Sequence, residues 1–190
     1  MAVSPAEAGK LAHAGVKLPS KWVTLDPKEP KTVFIDSARG KVAVIYFPEA
    51  KKPGEDPSEA QLSAIQRAVK EARSQAKLVV GVSPWGSHAE SDFLEKTKPG
   101  LDILLGLGSG VGFSAKPAEG GRVLHMRSYT KGKAIYTLDL LEMPSDKGFK
   151  WEQGTNYTTQ AVVLDDSYPP APAMEQLLQG VEDPGDKQAK

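Results

Sequence analysis

The sequence predicts an α/β fold in which helices flank a mixed sheet. Continuous apolar runs at residues 77–83 and 102–106 are typical of strands that are buried on both faces. Between the first of these runs and a β-rich segment at 31–47, residues 58–74 have the apolar spacing of a helix. This alternation of strand and helix is the order of an α/β domain. At 190 residues, the chain can build one core without disulfides or metals.

The chain is predicted to hold one main domain with short additions at both ends. Residues 6–15 fit a short helix, and 32–36 with 41–47 fit a hairpin whose turn contains Gly40. The predicted divisions are 1–30, a helix and an extended lead-in; 31–167, the α/β domain; and 168–190, a Pro-rich turn, a short helix at 174–181 and a charged tail.

Two longer helices are predicted within the domain. Asp56 and Pro57 have the order of an N-cap followed by a first-turn proline, and they open the helix that runs to about Ser74. The segment from Ser87 to Glu90 fits a capping box for a second helix, which continues to about Lys96. Each of these helices leads into one of the buried strands.

Further strands follow the second helix. Residues 122–129 predict a third strand, and 133–143 predict a fourth with one solvent-facing side, because apolar and polar residues alternate. Residues 150–165 supply one or two more. The segment 113–121 contains Pro117 and a glycine pair and predicts no helix.

Composition excludes several kinds of site. The chain has no cysteine, so disulfides, thiolate zinc sites and cysteine nucleophiles are absent. Lys plus Arg equals Asp plus Glu at 24 each, which gives no basic footprint for nucleic acid. No stretch approaches the roughly 20 apolar residues of a bilayer span. We therefore expect no nucleic-acid partner and no membrane span.

The segment DILLGLGSGVG, from Asp102 to Gly112, places four glycines at alternate positions after an apolar run. A dinucleotide loop needs glycines at its first, third and sixth positions and a helix after them. Counted from Gly106, the sixth position is Val111, and no Gly-Lys-Ser/Thr follows to make a phosphate loop. We therefore expect no cofactor here.

The order of the predicted elements along the chain is more informative than any one element. A hairpin, a helix, LVVGVSPWG, a helix, DILLGLGSG and two later strands resemble the second half of the calcineurin-like metallophosphoesterase domain of 5'-nucleotidases and UDP-sugar hydrolases. In that family the first strand ends in Ser-His-x-Gly and the second in Asp-x-x-x-Gly-Gly-His-x-His. The resemblance covers roughly residues 20–143 and implies half of a ββ sandwich.

The metal-binding positions of that family are degenerate in this chain. Pro84 stands at the histidine of the first motif, and Gly108 and Gly110 stand at the two histidines of the second. Two-metal hydrolysis needs His and carboxylate ligands, which Pro and Gly cannot supply. The motifs of the family's first half have no counterpart here. We therefore predict no metal ligand and no catalytic residue, and we interpret the glycine segment as a former metal loop.

Other catalytic arrangements have little support. His13 is expected to be exposed, His88 to lie beside a helix start and His125 to pack within a strand, and no two of them share a metal-ligand spacing. A Ser/His/Asp site lacks the Gly-x-Ser-x-Gly elbow. Asn156 opens a formal glycosylation sequon, a pattern that is common by chance.

Loops at the carboxyl ends of parallel strands converge at one edge of a sheet, where a ligand can bind. The ligand-binding candidates at this edge are Trp85, Ser109, Arg127, Tyr129 and Lys131. Trp85 offers a stacking face, and the basic residues offer charge to a phosphate or a carboxylate. In the alternative interpretation Trp85 fills the space of the lost metals and the basic residues are solvated.

Three functions are consistent with these features. The first is a non-catalytic binding or interaction module, with a protein partner or a second copy of the chain, or with a phosphate-bearing small molecule. The second is a metal-dependent phosphoesterase of the nucleotidase type that a partner chain completes, and the third is new chemistry in the old crevice. The resemblance implies an exported, periplasmic protein, whereas a chain that is complete as written would be cytoplasmic.

Overall fold

The computed structural model describes residues 2–20, 22–49, 55–129, 134–144, 148–165, 167–169 and 171–179. Its helices are α1 (Pro5–His13), α2 (Glu59–Arg73), α3 (Ser87–Thr97) and α4 (Pro172–Leu178). Its strands are β1 (Ala2–Val3), β2 (Val23–Thr24), β3 (Lys31–Ile35), β4 (Val42–Tyr46), β5 (Leu78–Ser83), β6 (Ile103–Gly106), β7 (Phe113–Ala118), β8 (Val123–Arg127), β9 (Ala134–Leu140) and β10 (Tyr157–Val163).

Six strands form one mixed sheet in the order β3-β4-β5-β6-β8-β7. The four inner strands are parallel, and β3 and β7 are antiparallel strands at the edges. Val82 of β5 pairs with Leu105 of β6, which confirms that the two predicted buried strands are neighbours. The chain crosses from β4 to β5 to β6 in one direction, so right-handed connections place α2 and α3 on the same face.

Helices α2 and α3 cover this face of the sheet, which we call the helix face. Ile65 and Val69 of α2 and Phe93 of α3 are buried in one cluster with Val79 and Leu104 of the sheet. Spacings of three and four residues place the apolar side chains of α2 on one stripe, as the sequence predicts. The predicted α/β class is therefore confirmed.

The opposite face of the sheet is covered by the β9–β10 hairpin and the segment before it. The two strands pair antiparallel, and they form a sheet of their own rather than extending the main one. Trp151 and Tyr157 are buried there against Leu124, with Leu138 packed beside them. The half-buried and exposed residues of β9 alternate, as predicted for a strand with one solvent-facing side. Three layers result: helices, main sheet and hairpin.

Helix α2 starts later than the sequence predicts. Its N-cap is Ser58 rather than Asp56, and Pro57 precedes the cap. The Ser58 hydroxyl accepts a hydrogen bond from the Gln61 N–H at 3.3 Å, and the Gln61 side chain accepts one from the Ser58 N–H at 2.9 Å. This reciprocal capping box satisfies two of the donors at the start of the helix.

The sequence did not identify strand β7. Pro117 and the following glycines argue against regular structure, yet residues 113–118 pair antiparallel with β8. The strand is tolerated because it lies at the edge of the sheet, where the missing N–H of a proline costs no ladder bond if it faces outward. A register irregularity between Phe113 and Lys116 accompanies it.

The ends of the chain follow the predictions in part. Helix α1 covers most of the predicted 6–15 and begins with a capping box between Ser4 and Glu7. Helix α4 starts two residues before the predicted 174–181, and the end of that prediction, like the charged tail, lies outside the described residues. Among the described residues, no helix has the length and apolar character that a membrane crossing needs.

Candidate functional site

The loops that follow β5 and β6 meet at the carboxyl edge of the main sheet. The Ser87 N–H donates to the carbonyl of Ser109 at 3.0 Å, and the Leu107 N–H donates to that of Ser83 at 2.8 Å. These backbone bonds join the start of α3 to the glycine segment. The structure thus brings together the two loops that the sequence places at this edge.

Gly108 and Gly110 are required by the way these loops are packed. Gly108 has φ +73°, and a Cβ on it would lie 2.6 Å from the carbonyl oxygen of Pro84. Gly110 has φ +120°, and its Cβ would lie 2.4 Å from the Ser87 hydroxyl. Residues that carry a side chain rarely adopt either backbone conformation, and neither position has space for a Cβ atom. A histidine at these positions is incompatible with the loop as it is folded.

Arg127, at the end of β8, lies beneath the glycine segment. Its side chain is 1% exposed. One guanidinium nitrogen, Nη2, donates to the carbonyls of Leu107 at 2.9 Å, Gly108 at 3.3 Å and Ser109 at 2.8 Å. The other, Nη1, contacts the carboxylate of Glu90. The arginine that the sequence offers to a phosphate or carboxylate ligand is therefore turned inward and bonded within the protein.

The capping box predicted between Ser87 and Glu90 does not form. Helix α3 is capped by Gly86, without a side-chain cap, and Glu90 is fully buried. A capping box would need the Glu90 carboxylate to accept the Ser87 N–H, but the Ser109 carbonyl already accepts that N–H. The carboxylate instead turns inward to Arg127, which supplies the opposite charge that a buried carboxylate needs.

His125 completes this buried polar cluster. Its Nε2 lies 3.0 Å from Glu90 Oε2, and its ring packs edge-on against Phe113 with centroids 5.0 Å apart. Among the described residues, neither the second oxygen of Glu90, Oε1, nor the Nε of Arg127 has a hydrogen-bond partner, and both atoms are buried. His125 is thus packed within a strand, as the sequence predicts, while His13 and His88 are exposed.

Trp85 belongs to the core rather than to an open crevice. It is 3% exposed, and its indole N–H donates to the carbonyl of Pro48 at 2.8 Å. Its ring contacts Phe47 and Phe93, with centroids 5.0 and 5.6 Å away. Its ring and its polar atom are thus engaged inside the protein. Trp85 therefore fills space in the core at this edge of the sheet.

The remaining candidates at this edge are separate from the buried cluster. Ser109 and Tyr129 are exposed, and the Tyr129 ring lies 6.1 Å from that of Tyr136. Lys131 lies outside the described residues. A small pocket of about 130 Å³ opens between the loops; its lining is Asp56, Trp85, Gly86, Ser87, His88, Ala89, Ser109 and Gly110. Of the five ligand-binding candidates, two therefore reach the surface described here.

The described residues at these loops supply no set of metal ligands. In the described part of the chain, His, Asp and Glu side chains form no group of three that could hold a metal ion. Asp102 lies at the end of β6 opposite to the glycine segment. Its carboxylate accepts the Val79 N–H at 2.7 Å and pairs with Arg73 at 2.9 Å, so it fixes the start of the strand.

Asn156 is unsuited to glycosylation in the folded chain. It is buried, its amide donates to the carbonyl of Lys150, and its carbonyl accepts the N–H of Glu152, both at 2.8 Å. The side chain thus holds the turn that leads into β10. The sequon is explained by this structural role.

Sequence reasoning missed the buried cluster of Glu90, His125 and Arg127. Its signal was present in part, because His125 and Arg127 are two apart on a strand of otherwise apolar residues and so face the same side. Charged residues in a buried strand require a buried partner. Glu90 could not be identified as that partner, since its spacing from Ser87 also fits a capping box.

An apolar groove lies on the other side of the main sheet, beside β9. Its volume is about 550 Å³. The described residues that line the groove are Val80, Ile103, Leu105, Gly106, Leu107, Met126, Ser128, Ala134, Ile135, Tyr136 and Leu138. None of them carries a charge. The groove therefore has the chemistry of an apolar binding surface and not of a phosphate site.

Comparisons with known protein families, with curated proteins and with solved structures find no significant match for the chain.

Proposed function

We propose that the chain is a non-catalytic interaction module, built like one half of a metallophosphoesterase sandwich, that acts by binding a protein partner. The observation that carries the proposal is the position of Arg127. Its guanidinium is bonded to three loop carbonyls and to Glu90. These loops correspond to the metal-binding loops of the family that the sequence resembles. Glu90, the acidic side chain beneath these loops, is thus already paired with an arginine and is not available to bind a metal cation.

The packing of the loops supports the same proposal. Gly108 and Gly110 stand at the histidine positions of the family, and neighbouring atoms leave no space for a side chain at either. Restoring the family's ligands would thus require the loop to refold. Trp85 and Arg127, the residues best suited to stack on or neutralise a small phosphate ligand, are engaged inside the protein.

A protein partner is favoured over a phosphate-bearing small molecule by the apolar groove. The groove lies on the face of the sheet that the hairpin covers only in part, and its lining is uncharged. Contiguous apolar surface of this kind is characteristic of interaction sites in proteins. The alternative function, a phosphoesterase completed by a partner chain, would need that partner to provide the metal ligands.

The experiment that tests the proposal is a hydrolysis assay on the purified chain. UMP, UDP-glucose and p-nitrophenyl phosphate are incubated with the protein and Mn²⁺ or Zn²⁺, with and without chelator. We expect no chelator-sensitive hydrolysis that co-elutes with the protein in size-exclusion chromatography. Hydrolysis that follows the protein peak and disappears with chelator would contradict the non-catalytic function. A variant with Glu71→Gln, an exposed change on α2, provides a matched control preparation.

A further inference from the structure

We propose that the free edge of β9 binds an extended segment of a partner polypeptide, which adds a strand to the hairpin and places alternate apolar side chains in the groove. This inference rests on the proposed function, since it names the partner's chemistry and its place of binding. Three features carry it: an unpaired strand edge, the apolar groove beside that edge and an apolar sheet face that continues beyond the groove.

The backbone of β9 offers hydrogen bonds on its outer side. In the described part of the chain, β9 pairs with β10 alone. The Leu141 N–H donates to Asn156 across the hairpin, whereas the Leu140 carbonyl faces the other way and accepts from Arg39 at 3.0 Å. Backbone groups alternate sides along an antiparallel strand, so Tyr136 and Leu138 face outward with Leu140. An added strand can bond to these groups.

Arg39 marks the end of the available edge. Its guanidinium, from the β3–β4 turn, also donates to the carbonyl of Leu141 at 3.1 Å. Among the described residues, the part of β9 that lies beyond the Arg39 contacts therefore runs from Ala134 to Leu138. At about 3.4 Å per residue, this stretch accommodates a strand of about five residues. Its length fits a short peptide segment rather than the broad surface of a folded domain.

The floor of the site is apolar beyond the groove itself. Side chains of registered neighbours share a face, so Val44 and Tyr46 of β4 lie on the same face as Val80 and Val82 of β5. Val44, Tyr46 and Val82 are half-buried, and Ile35 at the sheet edge is 51% exposed. A strand beside β9 would cover this surface with every second side chain. Because the groove lining carries no charge, those side chains must be apolar.

A second copy of the chain does not fit this edge. Symmetric antiparallel pairing of two β9 strands places both main sheets on the same side of the joined hairpins. The groove contains Val80 of β5, so each main sheet extends under the free edge of β9, with β4 and β3 beyond it. Two copies would overlap there. An extended peptide segment has no such obstacle, and strand addition is an established mode of peptide recognition.

The first part of the test is amide hydrogen exchange of the free protein, measured by NMR. We expect the Tyr136 and Leu138 amides to exchange fast, and the Thr137 and Asp139 amides, which face β10, to be protected. If Tyr136 and Leu138 were as protected as Thr137, the edge would already be paired and the inference would be overturned.

The second part is a selection of random linear peptides, displayed on phage, against the full chain. We expect selected peptides to alternate apolar and polar residues and to protect the Tyr136 and Leu138 amides when bound. The variant Tyr136→Lys should weaken binding at least about tenfold, or about 1.4 kcal/mol. The matched control is Thr137→Lys on the same strand, which should bind the peptides unchanged. Selection of no peptide above background, or equal binding to both variants, would overturn the inference.

A probe altered on the peptide side avoids any effect of a variant on folding. N-methylation of a selected peptide at the residues whose N–H groups face β9 should abolish binding, whereas methylation at the alternate residues should not. Equal effects in the two registers would contradict strand addition. The hydrolysis assay separates this inference from the function on which it rests. Chelator-sensitive hydrolysis overturns the function, and loss of the β9 site without hydrolysis overturns only the inference.

Discussion

The guanidinium of Arg127 contacts the carboxylate of Glu90 inside the protein, where the two side chains are 1% and 0% exposed. The pair connects the end of β8 to helix α3, and Arg127 also holds the carbonyls of the glycine segment. The arrangement therefore joins three separate parts of the chain at the carboxyl edge of the sheet. Its stability and its electrostatics both lead to measurable consequences.

Removal of one partner should destabilise the fold strongly. Arg127→Met leaves the Glu90 carboxylate buried without its counter-charge, which typically costs about 3 to 5 kcal/mol of unfolding free energy. The double variant Glu90→Gln with Arg127→Met should be less destabilised than the sum of the two single changes. Urea denaturation measures these values. The ion pair of Lys96 and Asp92 provides the control, since solvent screens it and Lys96→Ala should change the stability far less than Arg127→Met does.

Gly108 should not tolerate a side chain. Gly108→Ala places a Cβ against the Pro84 carbonyl and forces an unfavourable φ, so we expect a loss of about 1 to 3 kcal/mol in unfolding free energy. Gly9→Ala is the matched control, because Gly9 lies in helix α1 with open space around its Cβ position. That change should be neutral or stabilising by up to about 1 kcal/mol. Thermal denaturation of the two variants distinguishes them, and similar losses would argue against the described loop packing.

The helix-face core depends on Ile65. This residue is fully buried between α2 and the sheet, and Ile65→Ala should lower the unfolding free energy by about 2 to 5 kcal/mol. Gln66→Ala, on the exposed side of the same helix, should change it by less than about 0.5 kcal/mol. Equal stabilities of the two variants in urea would show that α2 is packed differently.

Asp102 should give the protein a distinctive dependence on pH. Burial raises the pKa of Asp102 above its ordinary 3.8, despite the opposing effect of Arg73 and of the Val79 N–H. The folded state then holds this proton more tightly than the unfolded state, so the contribution of Asp102 to stability falls as pH rises from 3.8 through the raised pKa. Asp102→Asn removes this dependence of the unfolding free energy on pH. The stability of this variant relative to the parent chain should thus increase with pH in this window.

Asp92 supplies the control of opposite sign. A hydrogen bond from Lys96 lowers the pKa of Asp92 below 3.8, so its contribution is present above that pH and is lost as pH falls through the lowered pKa. The stability of Asp92→Asn relative to the parent chain should therefore decrease as pH rises. Urea denaturation across a pH series gives both slopes. The same sign for both variants would contradict the assigned environment of Asp102.

The sequence predicted the elements whose periodicity is set by burial. Residues 78–82 and 103–105 lack polar side chains because helices cover one side of the sheet and the hairpin covers the other. The stripe of α2 follows from packing on one face. Edge strand β7 was missed because Pro117 and the glycines that follow it argue against regular structure, whereas an edge position tolerates the proline.

The sequence predicted where the loops of the candidate site lie, but not whether their charged side chains are exposed or buried. The order of the strands was enough to place the 84–86 and 106–110 loops at one edge. Local patterns do not say whether a charged side chain points outward or inward, and Glu90 fits a capping box as well as a buried pair. In the structure Glu90 is part of the buried pair and not of a capping box. The reason is that the Ser109 carbonyl accepts the Ser87 N–H and that Arg127 pairs with the Glu90 carboxylate.

The most direct test of the central claim is the metal content of the purified chain. The claim is that the loops at the carboxyl edge of the sheet are closed by the protein's own residues, with Arg127 bonded to the glycine segment and to Glu90. Zinc and manganese are measured by mass spectrometry after the protein has been supplied with both ions and then dialysed. The account predicts substoichiometric amounts of each. Stoichiometric zinc or manganese that survives dialysis, and that is lost from a variant of the loops, would contradict it.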